Sequence, residues 1–298
     1  MGTADDRTPA RVRNLYADVA IGDWVVASDD GERIDHVIER TSAFTRRASF
    51  EGDRFVSDTL AANIDAVFLV HALGKTPNQR RLERELVLAF DSGAQPVVVL
   101  TKSDLVDDPA SAHDELADVA LGVPVLIASG RDHTGLAEIR AYAAGDRTLA
   151  FLGASGVGKS TLVNALLDDE VMDTGAVREA DHRGRHTTVA AQLLALPGEG
   201  WLIDTPGVRA VSLWLSGNGI ERAFADVFEL MDHCRFRDCK HDREPGCAVR
   251  AAIDAGQLDP ARLASLDRLV AEEHALENEQ RRQLKLEDKR GYRRTPGV

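Results

Sequence analysis

Cysteine is scarce: three occur in 298 residues, all between Cys234 and Cys247. An odd number packed into one short stretch argues against a disulfide framework and for a metal site. Positive charge is also in short supply. There are 36 lysines and arginines against 49 aspartates and glutamates, a net charge of −13. That balance argues against nonspecific nucleic-acid binding, though it leaves room for local basic surfaces. Arg40, Arg46, Arg47 and Arg54 lie close together, as do Arg178, Arg183 and Arg185, and the tail carries Arg281, Arg282, Lys285, Lys289, Arg290, Arg293 and Arg294. Such runs are usually solvated faces; RNA contact is the sharper alternative. Long apolar runs are missing. Val67–Val70 and Val97–Leu100 are too short to cross a bilayer, and the polar start Met1–Arg7 has no apolar signal core. The expectation is a soluble cytoplasmic protein with no membrane partner. There is no internal repeat and no low-complexity linker.

What is present is globular. Apolar residues make up 44% of the chain, and the length suits about two or three domains. Residues 1–60 are turn-rich, with β-like runs at Asp23–Ala27 and Arg33–Ile38 that resemble part of a small β-barrel. From Ala61 the pattern becomes α/β. Strands are expected at 65–70, 96–100, 124–127 and 148–152, and helices at 77–90, 112–120, 135–143 and 159–167. Segments 192–196 and 201–203 read as an antiparallel pair around Pro197–Gly200. Alternating strands and helices imply a mostly parallel sheet covered on both faces. Beyond Gly207 the chain turns helical, and Pro260 opens a long charged helix.

Four motifs carry the chemistry. Gly153-Ala154-Ser155-Gly156-Val157-Gly158-Lys159-Ser160-Thr161 follows an apolar strand and opens a helix, the context of a phosphate-binding loop. Its backbone N–H groups and the helix N-terminus suit phosphate, Lys159 should reach the β- and γ-phosphates, and Ser160 should hold Mg²⁺. Asp204-Thr-Pro-Gly207 ends another apolar strand. There Asp204 would hold Mg²⁺ through water and the Gly207 N–H would sense the γ-phosphate. Between them, Arg183–Thr188 sits where a switch loop belongs, and Thr187 or Thr188 could complete the magnesium shell. Upstream, Thr101-Lys102-Ser103-Asp104 ends a strand as a guanine reader should. The Asp104 carboxylate can accept from the guanine N1–H and 2-amino group, a donor pair that adenine lacks. Ala128 and Ser129, after the next strand, suit a second base-contact loop. In an ordinary GTPase the phosphate loop precedes the guanine reader; here it follows, as in a circularly permuted domain.

The metal cluster is Cys234-x4-Cys239-x-His241-x5-Cys247. Three thiolates and one imidazole suit a closed, structural zinc site, one ion per chain. His233 is an alternative ligand, and Arg235, Arg237, Lys240 and Arg243 interleave.

With Ala61–Asp65, Gly153–Thr161, Arg185–Thr188, Asp204–Arg209 and Cys239–Asp242 in place, the chain resembles the RsgA (YjeQ) family of small-ribosomal-subunit-dependent GTPases from about Gly22 to the end of the metal cluster. The resemblance implies an N-terminal OB-fold, a permuted GTPase domain and a C-terminal zinc domain. Here that gives a partial or truncated OB-like region over 1–60, the GTPase domain over 61–215 and a helical zinc domain over 216–298. It also implies late maturation of the small subunit, with rRNA contact and hydrolysis of GTP to GDP stimulated by that subunit. The position after the D-x-x-G motif is Val208, which cannot orient water. The resemblance points instead to His186 as the water-orienting catalytic residue. A monomer is expected. The rival readings are a noncatalytic, GTP-controlled RNA-binding adaptor and a permuted GTPase acting on the large subunit.

Overall fold

A computed structural model of the chain describes residues 14, 18–46, 58–74, 78–111, 113, 120, 122–169, 192–204 and 217–292. Among these, 14–204 belong to one compact unit and 217–292 to another.

The first unit opens with two small ladders. β1 (Val25–Ala27) pairs antiparallel with β2 (Ile34–Val37), and β3 (Ala43–Arg46) with β4 (Asp58–Ala62). An isolated bridge joins Ile21 to Ala61. Here Gly22, at φ +88°, brings its backbone so close to Ala62 that an added Cβ would sit 2.1 Å from the Ala62 carbonyl oxygen. Only glycine fits. Asn63 completes the joint by donating to Gly22 O at 3.0 Å and accepting from Thr41 N at 2.9 Å.

A six-stranded sheet follows. It contains β5 (Ala66–Ala72), β6 (Gln95–Thr101), β7 (Val125–Ile127), β8 (Thr148–Gly153), β9 (Gln192–Ala195) and β10 (Trp201–Asp204). Its spatial order is β7-β6-β5-β8-β10-β9, all parallel except β9. The near-continuous apolar runs of β5 and β6 are explained by burial on both faces. Helix α1 (Gln79–Ser92) packs against β5 and β6. Asn78 caps its start by accepting from Arg81 N, and Gly93 ends it in a left-handed conformation. Helices α2 (Leu136–Ala141) and α3 (Lys159–Leu167) share a core with Phe68, Val70, Val97, Val99 and Leu149 through Ile139, Leu162 and Leu166. Phe68 stacks on Phe151 with centroids 5.1 Å apart. The expected helix at 112–120 falls largely outside the described residues. The antiparallel pair around Pro197–Gly200 is present as β9–β10.

The second unit is helical: α4 (Gly217–Ala223), α5 (Ala225–Asp232), α6 (Ala248–Asp254) and the 33-residue α7 (Pro260–Tyr292). Phe224, Val227, Val249 and Leu266 are buried in it. Arg262 is buried too. Its charge is met by both Asp226 oxygens at 3.0 Å and by Ala223 O, and its guanidinium lies 4.2 Å over the Phe224 ring.

Candidate nucleotide site and metal centre

Parallel pairing puts the C-terminal ends of β6, β7, β8 and β10 on one sheet edge. Those ends carry Thr101, Ala128, Gly153 and Asp204. From β5 the chain runs outward through β6 to β7, then returns to the other side of β5 for β8 and β10. The reversal lies between β5 and β8, where open α/β sheets form a ligand crevice.

The phosphate-binding loop turns out of β8 at Gly153, whose φ is +147°. A Cβ there would lie 2.5 Å from Val70 O, so a larger residue would push the loop off β5. Ala154, Ser155, Gly156, Val157 and Gly158 form the turn, and Lys159, Ser160 and Thr161 begin α3. Lys159 is buried, and its ammonium donates to Gly153 O at 2.7 Å and to Ala154 O. At the far end of α3, Arg140 donates to Ala165 O and Leu166 O, each at 3.1 Å, and to Asp168 at 2.9 Å. A cation on these terminal carbonyls steadies the helix that the phosphate loop opens.

Hydrogen bonds join the upstream reader to this loop. The buried Thr101 hydroxyl lies 3.2 Å from His71 O and against Val157 O. One hydroxyl proton serves both carbonyls, so Thr101 fastens the end of β6 to β5 or to the phosphate loop. Lys102, in a left-handed conformation, donates to Gly156 O at 2.8 Å. Ser103 and Asp104 begin a short 3₁₀ turn, with the Asp104 carboxylate exposed. Ser129, almost fully buried, donates to Asp104 Oδ1 at 2.8 Å while its oxygen accepts from the backbone of Arg131 and Asp132. Next to it, the Thr134 N–H bond holds the Asp132 carboxyl below its usual range. The loops after β6 and β7 are therefore one hydrogen-bonded assembly, a link that motif spacing alone does not reveal. His186, Thr187, Thr188, Val208 and Gly207 lie outside the described residues; Asp204 is present as the last residue of β10.

In the helical unit, Cys234, Cys239, His241 and Cys247 place their ligand atoms all within 4.8 Å of one another. Cys234 Sγ is 3.9 Å from Cys247 Sγ, and His241 Nδ1 is 3.6 Å and 3.5 Å from those sulfurs. Zinc–sulfur bonds of about 2.3 Å place tetrahedral sulfurs about 3.8 Å apart, so the donor set fits a zinc ion. Cys247 also caps α6, accepting from Arg250 N at 3.4 Å. Glu244 ties the intervening loop by accepting from the backbone of Lys240, Asp242 and Arg243, and those bonds lower its carboxyl pKa. Desolvation, joined by the neighbouring Cys247 and Cys234 sulfurs, pushes the Cys239 thiol up to about 11. Desolvation also acts on Cys234, but the backbone groups of Val249 and Ala248 outweigh it and lower its pKa. His233 is exposed at the end of α5 and is not one of the four clustered residues.

A glycine-rich loop, a guanine-type reader and a D-x-x-G strand at one edge, met in this chain order, define a circularly permuted P-loop GTPase. The crystal structure of YjeQ from Thermotoga maritima superposes with a TM-score of 0.62 at 25% identity, covering 88% of this chain and 89% of that one. YloQ, described as a circularly permuted GTPase, gives 0.58 at 26% identity, covering 85% and 80%. The RsgA GTPase family pattern matches residues 37–214. The chain belongs to the RsgA GTPase family and is, by that membership, a GTP-hydrolysing enzyme. Relatives named "Small ribosomal subunit biogenesis GTPase RsgA" include one from Streptomyces coelicolor, 44% identical over 94% of this chain and 77% of its own length. Another, from Opitutus terrae, is 45% identical over 85% and 72%.

Proposed function

We propose that this chain hydrolyses GTP during late maturation of the small ribosomal subunit, and that the assembling subunit stimulates turnover. The observation that carries the reading is the meeting of Thr101, Ser129, Gly153 and Asp204 at one sheet edge; the choice of subunit rests on the names of the relatives. In this reading Asp104 accepts from the guanine edge, Ser129 holds that carboxylate, and the Lys102 stem lies along the base. Thr101 ties the reader to the phosphate loop. Backbone N–H groups of Gly153–Thr161 cradle the phosphates, Lys159 turns from the loop carbonyls to the β- and γ-oxygens, and the Gly207 N–H meets the γ-phosphate. Ser160, Asp204 and Thr187 or Thr188 would hold Mg²⁺, which would neutralise charge developing on the phosphates.

His186 orients the attacking water, because Val208 has no polar group to do so. Cys234, Cys239, His241 and Cys247 would hold zinc, and with four protein donors the ion would be structural rather than catalytic. The domain plan in this reading is an OB-like β region over 1–60, the GTPase domain over 61–215 and a zinc domain over 216–298. The protein acts as a cytoplasmic monomer on the subunit and its rRNA. Among the described residues, no helix is long and apolar enough to cross a membrane.

The test is single-turnover hydrolysis with and without saturating small subunits. Slow turnover alone and faster turnover with subunits is expected. His186→Ala should cut the stimulated rate by about 10²–10⁴-fold while sparing GTP affinity. A wild-type stimulated rate in His186→Ala removes the catalytic assignment, and no stimulation by subunits that bind the protein removes the proposed coupling.

A further inference from the structure

The β1–β2 hairpin presents an apolar face that no described element covers. Trp24, Val26 and Ile38 are 46%, 48% and 46% exposed. They share one side of the ladder with the exposed His36, which stands among them. Val26 stands opposite His36, Ile38 N donates to Trp24 O at 2.8 Å, and residues 24 and 26 alternate with the half-buried Val25 and Ala27. A tryptophan flanked by two aliphatic residues on an exposed sheet is a composition more typical of an interface than of free surface.

The surroundings decide which kind of partner it takes. Residues 18–46 contain no lysine and three arginines, of which Arg46 lies on the separate β3–β4 ladder, opposite Asp58. Arg40 is held inward by Asp23 at 2.7 Å, Thr59 at 2.8 Å and Asp18 O at 2.9 Å, and Arg33 is paired with Asp35 at 2.8 Å. The hairpin tip carries Asp29, Asp30 and Glu32, and Glu39 follows β2; all four are exposed. The Ser28 hydroxyl and the Glu32 N–H keep the Asp30 carboxyl below its usual range. A surface of this sign repels a phosphate backbone and attracts lysine and arginine side chains.

We infer that the Trp24–Val26–Ile38 face docks a basic protein segment presented by the small ribosomal subunit, its apolar side chains on the hairpin face and its cations on Asp29, Glu32 and Glu39. The inference rests on the subunit reading above for where the partner is met, and on the hairpin's own charge for the partner's chemistry.

The experiment places a photoreactive residue at Ile38 of the full chain and irradiates it with purified small subunits and a non-hydrolysable GTP analogue. Co-sedimentation is read from the same tube. Adducts that survive ribonuclease and disappear with protease are expected. Ribonuclease-labile adducts, adducts between two copies of the chain, or co-sedimentation without adducts overturn the inference.

Charge reversal supplies a sign test. Asp29→Lys with Glu32→Lys and Glu39→Lys leaves Asp30, which holds the turn, in place. It should weaken binding to subunits about tenfold for a basic partner; tighter binding would mean that RNA faces the hairpin and would overturn the inference. If the chain does not co-sediment at all, the subunit reading fails. The face is then judged by titration against proteins extracted from small subunits and, separately, stripped rRNA. Protein binding lost on charge reversal upholds the basic-partner chemistry, and binding to rRNA alone refutes it.

Discussion

A carboxylate at position 104 can only accept hydrogen bonds, whereas an amide can donate as well. Asp104→Asn should therefore lose affinity for GTP and GDP and gain it for xanthine nucleotides, whose 2-oxo group needs a donor. Competition binding with the four nucleotides measures this; an unchanged guanine preference would defeat the assignment of Asp104. Ser129 contributes by holding Asp104 at 2.8 Å. Ser129→Ala removes one charge-assisted bond from a partly exposed carboxylate, so guanine affinity should fall about tenfold while phosphate-side contacts persist. Loss of affinity for guanosine equal to the loss for GTP is the expected pattern; a loss confined to GTP would place the effect at the phosphates. The readings of 101–104 as a base reader and 153–161 as a phosphate loop come from sequence because such loops have fixed local spacing. The bond between Ser129 and Asp104 does not, because 25 residues, strand β7 among them, separate its partners.

Single elements respond to their own staples. The loop between α5 and α6 has little apolar core: Arg235, Phe236, Arg237, Asp238, Lys240, Asp242 and Arg243 are all exposed. A metal ion would replace the missing core. Cys239→Ser should abolish binding of one zinc per chain and raise amide exchange between residues 234 and 247, read by elemental analysis and hydrogen exchange. Carefully purified, reduced wild-type protein without zinc would contradict the assignment. Proton linkage gives the pH direction. The metal-free Cys239 thiol, at about 11, is protonated at neutral pH, so zinc must displace that proton. Zinc uptake should release protons and weaken as pH falls, which a buffered indicator titration with zinc measures. The ligand spacing made this site legible in sequence. The left-handed backbone at His241, φ +57°, and the Glu244 clamp on three N–H groups were not, because loop conformation is decided by backbone bonds that no spacing encodes.

The whole molecule holds its two chemistries in separate compact units. Nucleotide affinity should therefore survive loss of the metal. Cys239→Ser or chelated protein is expected to bind GDP within about twofold of wild type, while stimulation by small subunits falls if the zinc loop takes part in docking. Calorimetry with GDP and turnover with subunits, run on the same preparation, measure the two effects. A large loss of GDP affinity on chelation would show that the two units are energetically coupled. Net charge acts at this scale too. With 13 excess negative charges, binding to a ribonucleoprotein depends on local surfaces rather than on a general attraction.

The motif inventory and its order can be read along the chain, because phosphate, guanine-type and thiolate chemistry each demand particular residue types at short range. So can the alternation of strands and helices, since buried parallel strands leave apolar runs such as Val67–Val70 and Val97–Leu100. That motifs in permuted order share one edge emerges from the fold alone, because the sheet order β7-β6-β5-β8-β10-β9 arises from pairing between distant strands. The fold also sets what the basic residues do. Arg40 reads as surface charge in sequence but is turned inward to Asp23, and Arg281 faces Glu277 at 3.4 Å one helical turn away. The hairpin's apolar face belongs to the same class. Trp24 and Val26 look like ordinary strand residues until pairing with Ile38 and His36 fixes which side they present. A strand has two faces, and its sequence does not say which one the rest of the protein will cover.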